Sequence, residues 1–277
     1  MPLAKLEGLK INYLLEDSED ENAPVLVFSN SLGATLNMWD AQAAALSRNF
    51  RVLRYDTRGH GQSSVTHGPY SISQLGRDVL DLLDTLHLDR VHFCGLSMGG
   101  MIGMWLAVNA PHRLQKLALS NTAAKIGTAE TWQTRIDTVQ KHGMSAVLSA
   151  ILDRWFTSDF REQHPAAVAP AERMILNSNT EGYIANCAAV RDFDYRDNLN
   201  VIRIPTLVIA GAHDPVTTPA DGQFLARHIP GARLATPPPA LRSDLSELRY
   251  VELPAAHISS IEAPSQFTTA LKSFLAP

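Results

Sequence analysis

The feature that most constrains the fold is a short glycine-rich segment between two apolar runs. Residues 95–99 are Gly-Leu-Ser-Met-Gly, preceded by the apolar run 91–94 and followed by the apolar run 101–108. The first run has the length of a buried strand and the second that of a buried helix. A serine at a sharp turn between such a strand and helix has an exposed hydroxyl, because flanking glycines let the two elements approach each other. The segment therefore predicts an α/β fold with Ser97 as a candidate nucleophile.

Other apolar runs indicate that this turn belongs to a mostly parallel sheet. Short, largely apolar segments without polar alternation are typical of strands that are covered on both faces. They occur at residues 25–28, 50–55, 114–119, 205–210 and 249–253. Two strand-like pieces on either side of Gly8 predict an antiparallel hairpin at one edge of the sheet. We therefore expect an eight-stranded sheet with helices on both faces, including an amphipathic helix at 71–86.

The alternation of strands and helices stops between residues 123 and 197. This segment has no convincing strand pattern, has several helical stretches and is rich in alanine, methionine and aromatic residues. It predicts a helical cap inserted between two parts of one core, 1–122 and 198–277. Some of its side chains are candidates for facing a pocket, with ordinary helix packing as the alternative for each. These candidates are Trp132, Arg135, Trp155, Phe156, Met174 and Arg191.

Two further chemical groups follow predicted strands. Asp214 comes just after the run 205–210, and His257 lies between the last strand and the terminal helix. The carboxyl ends of parallel strands are where open α/β sheets assemble their sites. The chain order serine, acid, histidine is typical of α/β-hydrolases and differs from that of chymotrypsin-like and subtilisin-like chains. We therefore predict a catalytic triad of Ser97, Asp214 and His257, in which the histidine takes the serine proton and the aspartate orients the histidine.

Two loops near these strand ends have different predicted roles. The loop at 29–33 follows an early strand, where hydrolases of this fold place part of the oxyanion hole, so we predict the backbone N–H groups of Leu32 and Met98 as its donors. The alternative is an ordinary connecting loop. The loop at 56–63 contains Asp56, Arg58 and His60, and we interpret it as structural, with Asp56 and Arg58 forming an ion pair.

Composition narrows the possible partners. A formal net charge of −4 with scattered basic residues gives no electrostatic footprint for nucleic acid. No segment is apolar enough for a membrane span or a signal peptide, which predicts a cytoplasmic protein. The 10 histidines lack metal-binding spacings and the 2 cysteines form no C-x-x-C, so we expect neither a metal nor a cofactor. The sequence carries no prediction of oligomeric state.

Several segments taken together resemble the 3-oxoadipate enol-lactonases. The serine turn at 95–99 and the loops that carry Asp214 and His257 are shared across the α/β-hydrolases. The loop at 29–33 and the Trp155-Phe156 pair narrow the resemblance to the lactonase branch. The segments that carry it are Ser29-Asn-Ser-Leu-Gly33, Tyr55-Asp-Thr-Arg-Gly-His-Gly-Gln-Ser63, Gly95-Leu-Ser-Met-Gly-Gly100, Ala210-Gly-Ala-His-Asp-Pro-Val216 and Pro254-Ala-Ala-His-Ile-Ser-Ser-Ile-Glu-Ala-Pro264. The proline-rich stretch 234–247 departs from the family, in which the last strand follows sooner.

The resemblance implies a small-molecule substrate. The family opens the enol-lactone of 3-oxoadipate in bacterial catabolism of protocatechuate and catechol. That lactone carries a free carboxylate, so a cation of the cap is expected to bind it. Arg135 is the first choice, with Arg154 and Arg191 as alternatives. The other expected substrate contacts are Ser31, Trp132 and Trp155.

Two alternative functions remain open at the level of sequence. Another hydrolase of this fold, such as a carboxylesterase, a C–C bond hydrolase or a cofactor-free perhydrolase, would share the whole triad and differ only in the cap. A ligand-binding receptor of the same fold could also retain Ser97, Asp214 and His257. Multiple-turnover hydrolysis of an activated ester distinguishes an enzyme from such a receptor.

Overall fold

The computed structural model describes residues 2–20, 22–232 and 249–276, and these contain a single eight-stranded sheet. The spatial order of the strands is β1-β2-β4-β3-β5-β6-β7-β8. The strands are β1 Leu3–Leu6, β2 Leu9–Glu16, β3 Val25–Ser29, β4 Arg51–Tyr55, β5 Val91–Leu96, β6 Leu114–Ser120, β7 Thr206–Gly211 and β8 Tyr250–Leu253. The predicted hairpin, β1 and β2, pairs antiparallel at one edge, and β4, β3 and β5 to β8 are parallel. The predicted mostly parallel sheet is therefore confirmed.

Helices cover both faces of this sheet. Every residue of β3, β5 and β7 is buried, and successive side chains of a strand point to opposite faces, so neither face is open to solvent. The α-helices of the described residues are α1 Asp40–Leu46, α2 Ile72–Thr85, α3 Met98–Asn109, α4 Ala129–His142, α5 Leu148–Trp155, α6 Ser158–Gln163, α7 Pro165–Leu176, α8 Thr180–Arg191, α9 Pro219–His228, α10 Ser259–Glu262 and α11 Pro264–Leu275. Helix α3 is apolar all round and almost wholly buried, as expected for a helix between the sheet and a second helix.

Five helices, α4 to α8, lie between β6 and β7 with no strand among them. They fall within the segment 123–197 that the sequence marks as a helical cap, and α8 packs against α4. The exact division into core and cap at residues 122 and 198 stays a prediction. The proline-rich stretch 234–247 lies outside the described residues.

Strand register brings the predicted site to one edge of the sheet. Gly95 of β5 pairs with Ser29 of β3 and with Leu119 of β6, and Gly211 of β7 pairs with Leu253 of β8. The carboxyl ends of β3, β5, β6, β7 and β8 are therefore level with one another. Polar groups in the first few residues after these strands therefore lie near one another, as in other open α/β sheets.

The predicted pairing of Asp56 with Arg58 is wrong. The Arg58 guanidinium forms an ion pair with Asp78 of α2, with Nε at 2.7 Å from Oδ2. The carboxylate of Asp56 is instead occupied by N–H donors, among them the backbone of Leu36 at 2.8 Å and of Gln62 at 3.0 Å. Each charged side chain ties the loop to a different element. No helix in the part of the chain that the structure describes is long and apolar enough to cross a membrane.

Candidate active site

The candidate nucleophile, Ser97, occupies a strained turn between β5 and α3. Its backbone has φ 57° and ψ −114°, a conformation that non-glycine residues rarely adopt and that persists only where the surroundings enforce it. The neighbours must be glycines: a Cβ on Gly95 would lie 2.1 Å from the carbonyl oxygen of Gly99, and one on Gly99 would lie 2.2 Å from that of Ser29. The sharp turn predicted from the sequence therefore follows from close backbone contact between strand and helix.

The candidate acid, Asp214, lies three residues beyond β7 and is 3% exposed. Oδ1 accepts hydrogen bonds from the backbone N–H groups of Val216 at 2.8 Å and Thr217 at 3.0 Å. Oδ2 accepts from the Thr217 hydroxyl at 2.7 Å and from His257 Nδ1 at 2.8 Å. Burial raises the pKa of Asp214, but the charge and hydrogen bonds of its neighbours outweigh it and lower the pKa to about 2. The carboxylate is thus ionised throughout the neutral range.

The candidate base, His257, is oriented by this carboxylate. Because Nδ1 donates to Asp214, the proton of the neutral ring is on Nδ1 and the lone pair of Nε2 is free to accept. Ser97 and His257 line the same cavity. Among the described residues, the Ser97 hydroxyl makes no hydrogen bond to the imidazole. Such bonds are often long in unliganded enzymes and shorten when substrate binds.

Asn121 is a site residue that the sequence analysis passed over. It is the first residue after β6, has φ 42°, and its side-chain amide donates to Oδ2 of Asp214 at 3.0 Å and to the carbonyl of Ala256 at 3.1 Å. Its own oxygen accepts from the hydroxyls of Ser120 and Ser259. The sequence signal that located Asp214, a polar residue just after a buried strand, also points to Asn121.

The predicted oxyanion donors are Leu32, in the loop after β3, and Met98, the residue after Ser97. The N–H of Gly99 donates to the carbonyl of Asn30 at 3.0 Å, which ties the loop at 29–33 to the first turn of α3. Within the described part of the chain, the N–H groups of Leu32 and Met98 donate to no protein acceptor. Leu32 lines the cavity and Met98 begins α3, where the helix dipole also favours negative charge. Both groups are available for an oxyanion.

The helical segment between β6 and β7 supplies much of the wall of a cavity that Ser97 lines. Four sequence-predicted contacts line it: Ser31, Trp132, Arg135 and Trp155. Arg154, one of the alternatives, also lines it, as does Tyr183, which the sequence does not single out.

Three other candidates do not line this cavity. The Arg191 guanidinium binds Asp192 and Gln133 beside a separate surface groove. Phe156 is buried beside Trp155, and Met174 lines another depression.

Two arginines make the cavity strongly positive. Arg135 stacks over the Trp132 ring at 4.9 Å from the ring centroid. Burial and the positive charge of Arg135 both lower the pKa of Arg154. Neither guanidinium forms an ion pair with an acidic side chain in the described residues. An anionic ligand would relieve the repulsion between them. The residues that the structure describes contain no cluster of three potential metal ligands.

The fold and the site together define a class. A parallel sheet with a serine at a strand-to-helix turn, followed along the chain by an aspartate and a histidine at neighbouring strand ends, is the arrangement of the α/β-hydrolases. The positive cavity beside it suits a small carboxylate-bearing ester.

Comparison with known proteins agrees with this class. A sequence model of the alpha/beta hydrolase fold matches residues 24–264. 3-Oxoadipate enol-lactonases 2 and 1 of Acinetobacter baylyi are 42% and 38% identical, covering 97% and 92% of this chain and 94% and 90% of their own. The crystal structure of the enol-lactonase from Burkholderia xenovorans superposes with a TM-score of 0.91 at 45% identity, covering 99% of both chains. The chain therefore belongs to the α/β-hydrolase family, in the group that contains the 3-oxoadipate enol-lactonases.

Proposed function

We propose that this protein is a serine hydrolase that opens the enol-lactone of 3-oxoadipate to 3-oxoadipate in bacterial aromatic catabolism. Support comes from relatives that carry this name and cover nearly the whole chain. The proposal includes a cytoplasmic location and a small-molecule substrate.

One structural observation carries the choice of substrate class. Arg135 and Arg154 line the same cavity as Ser97 and His257, and neither forms an ion pair with an acidic side chain among the described residues. Charge-assisted hydrogen bonds from a guanidinium to a carboxylate are among the stronger polar contacts in proteins. In the proposed complex these arginines hold the free carboxylate of the lactone, with Arg135 as the principal partner. Trp132, Trp155 and Ser31 fix the ring beside Ser97.

The proposed acylation step uses the side chains in the roles that their contacts favour. His257 Nε2 takes the proton of Ser97 as the serine oxygen attacks the lactone carbonyl carbon. The N–H groups of Leu32 and Met98 stabilise the oxyanion that develops. As the tetrahedral intermediate collapses, the ring C–O bond breaks and His257 returns the proton to the leaving enol oxygen. The released enol tautomerises to the ketone and remains attached through the ester with Ser97.

Deacylation repeats this sequence with water. His257 removes a proton from a water molecule, which attacks the acyl carbon, and the same two N–H groups hold the second oxyanion. Collapse returns the proton to Ser97 and frees the diacid. Asp214 stabilises the histidinium in both halves, since its carboxylate stays ionised beside Nδ1.

The test is the loss of enol-lactone ultraviolet absorbance with purified protein, compared with a neutral p-nitrophenyl ester and a C–C hydrolase substrate. We expect kcat/KM of ~10⁴ M⁻¹s⁻¹ or more for the lactone, well above the other two. Efficient ester hydrolysis with an inert lactone would contradict the substrate assignment. Tight ligand binding without turnover would indicate a receptor. Ser97→Ala should abolish turnover.

Arg135→Ala tests carboxylate recognition. Loss of a charge-assisted hydrogen bond worth ~1.5–3 kcal/mol should lower kcat/KM for the lactone roughly 10- to 150-fold. Hydrolysis of a neutral ester should change little. Arg77→Ala, at an exposed arginine of α2, is the matched control and should leave both substrates unaffected. Equal losses for the anionic and the neutral substrate in Arg135→Ala would contradict the proposed contact.

A further inference from the structure

His60 is a buried titratable residue that the triad does not use. It is 2% exposed and lies in the loop after β4. Its Nε2 accepts a hydrogen bond of 2.8 Å from the backbone N–H of Gly33, the residue after the oxyanion donor Leu32. An imidazole nitrogen accepts only while it carries a lone pair, so His60 is neutral with its proton on Nδ1. The loop at 29–33 thus depends on the protonation state of this ring.

The loop that carries Leu32 is anchored before it at Asn30, which accepts from the Gly99 N–H at 3.0 Å and donates its side-chain amide to the Tyr55 carbonyl at 2.8 Å. Beyond Leu32 the supports are the bond from Gly33 to His60 and two others. Ala34 donates to the Ser31 carbonyl at 3.1 Å, and Leu36 donates to the carboxylate of Asp56 at 2.8 Å. Gly33 has φ 82°, a conformation with little intrinsic preference for one orientation of its peptide. Fixing the N–H of Gly33 fixes the plane of the Leu32–Gly33 peptide. That constraint limits the rotation of Leu32 and hence the direction of its own N–H.

His60 is itself held from two sides. The Arg58 carbonyl accepts from the Asn186 amide at 2.8 Å, and its interaction with the ring opposes the lowering of the His60 pKa by burial. Because both Nδ1 of His60 and Nδ2 of Asn186 carry protons, their 3.3 Å separation is a contact and not a hydrogen bond. The backbone of the loop is also in direct contact with the backbone of α8, since a Cβ on Gly182 would lie 2.2 Å from the carbonyl oxygen of Gly59. Helix α8 therefore locks the ring in place.

We propose that His60 is a positioning residue that, as a neutral hydrogen-bond acceptor, orients the Leu32 N–H in the oxyanion hole. The proposal rests on the proposed function of the site. Oxyanion donors stabilise the transition state because they are oriented before the reaction begins, and removing one costs roughly 10²- to 10³-fold in kcat. Loss of the support, with the donor still present, should cost less than loss of the donor itself.

Two near-isosteric substitutions separate this role from simple packing. In His60→Gln, the amide oxygen can occupy the position of Nε2 and still accept from Gly33. In His60→Asn, the shorter side chain places its polar atoms near Nδ1, so Gly33 loses its acceptor. We expect kcat in His60→Asn to fall roughly 10- to 100-fold with KM within about twofold, and His60→Gln to retain most of the activity. The proposal would be overturned if kcat fell equally in both variants and in proportion to their loss of thermal stability.

A p-nitrophenyl ester separates this inference from the substrate assignment, since any ester needs the oxyanion hole. An inert lactone with wild-type protein refutes the lactonase proposal. Unchanged ester kcat in His60→Asn refutes the role of His60. A measurement without turnover uses protein labelled with ¹⁵N at glycine and leucine. The amides of Gly33 and Leu32 should shift and exchange faster in His60→Asn, and return toward wild type in His60→Gln. The proposal is also overturned if the chemical shifts and exchange rates of both amides are the same in both variants as in wild type.

Discussion

The side-chain amide of Asn121 donates a hydrogen bond of 3.0 Å to Oδ2 of Asp214, joining the ends of β6 and β7. The same amide binds the carbonyl of Ala256, the residue before His257. A single neutral side chain therefore connects the acid and the segment that carries the base. It also helps to lower the pKa of Asp214, together with His257 and Thr217.

Asn121→Asp should impair catalysis although it changes only one atom of the side chain. Two carboxylates about 3 Å apart cannot both ionise freely, so the apparent pKa of the pair rises above the value of about 2 for Asp214 alone. We expect kcat to fall roughly 10-fold or more at pH 7 and the acid limb of the kcat profile to move upward. Asn109→Asp, on the outer end of α3, is the control. Identical pH profiles for Asn121→Asp and wild type would contradict this role.

Gly95→Ala should prevent stable folding. The new Cβ would lie 2.1 Å from the carbonyl oxygen of Gly99, and both partners are backbone groups that cannot move independently. We expect a loss of more than ~3 kcal/mol in the free energy of unfolding, measured with denaturant. Gly8→Ala is the control, because that exposed glycine has φ 68° with nothing within 4 Å of its Cβ position. It should cost only ~1–2 kcal/mol, from the positive φ alone. Similar losses in both variants would contradict the importance of the contact between Gly95 and Gly99.

The sheet and the triad could be predicted because their signals are local. Continuous apolar runs mark strands covered on both faces, and the groups that follow them meet at one edge, so Ser97, Asp214 and His257 could be placed together without coordinates. The cavity wall was harder to predict. The sequence predicts that Trp132, Arg135 and Trp155 face a pocket. Helical periodicity does not say which face of a helix points toward its neighbour, so it cannot distinguish Arg154, which lines the cavity, from Arg191, which does not.

The contacts of the loop at 56–63 could not be predicted from the sequence. Asp56 and Arg58 are two residues apart, and opposite charges at that distance suggest a local pair. The structure instead ties Arg58 to Asp78 and uses Asp56 to hold the N–H of Leu36. Both contacts join elements that are distant along the chain, so no spacing rule predicts them. The link from His60 to Gly33 is hidden from the sequence for the same reason.

Arg154→Met should make the unliganded protein more stable while weakening ligand binding. Burial and the charge of Arg135 both disfavour the charged form of Arg154, and methionine keeps much of the apolar stem. We expect Tm to rise by a few degrees without ligand. Addition of 3-oxoadipate should raise Tm less in the variant than in wild type, because the bound form loses a cation. A thermal-shift titration measures both effects. A larger shift for the variant would show that Arg154 opposes anion binding.

Acid should destabilise the protein partly through His60. Burial lowers the pKa of His60 to about 4, against about 6.5 for an unperturbed histidine, while a hydrogen bond to the Arg58 carbonyl opposes the fall. Between these values the unfolded chain binds a proton that the folded protein does not, so the free energy of unfolding falls as the pH falls through this window. Above pH 6.5 both states are neutral and the contribution no longer varies.

His60→Gln removes the titrating group and so tests how much His60 contributes to the loss of stability in acid. The variant should lose less stability than wild type between pH 6.5 and 4, with a difference approaching ~3 kcal/mol at the acid end. Part of the acid sensitivity should remain, because burial also lowers the pKa of His92 to about 4. His112→Gln, at an exposed histidine, should follow wild type. Denaturant unfolding at several pH values checks this, and parallel curves for His60→Gln and wild type would mean that His60 is protonated equally in both states. In that case the folded protein would protonate Nε2 below about pH 6.5 and lose the hydrogen bond from the Gly33 N–H over the same range.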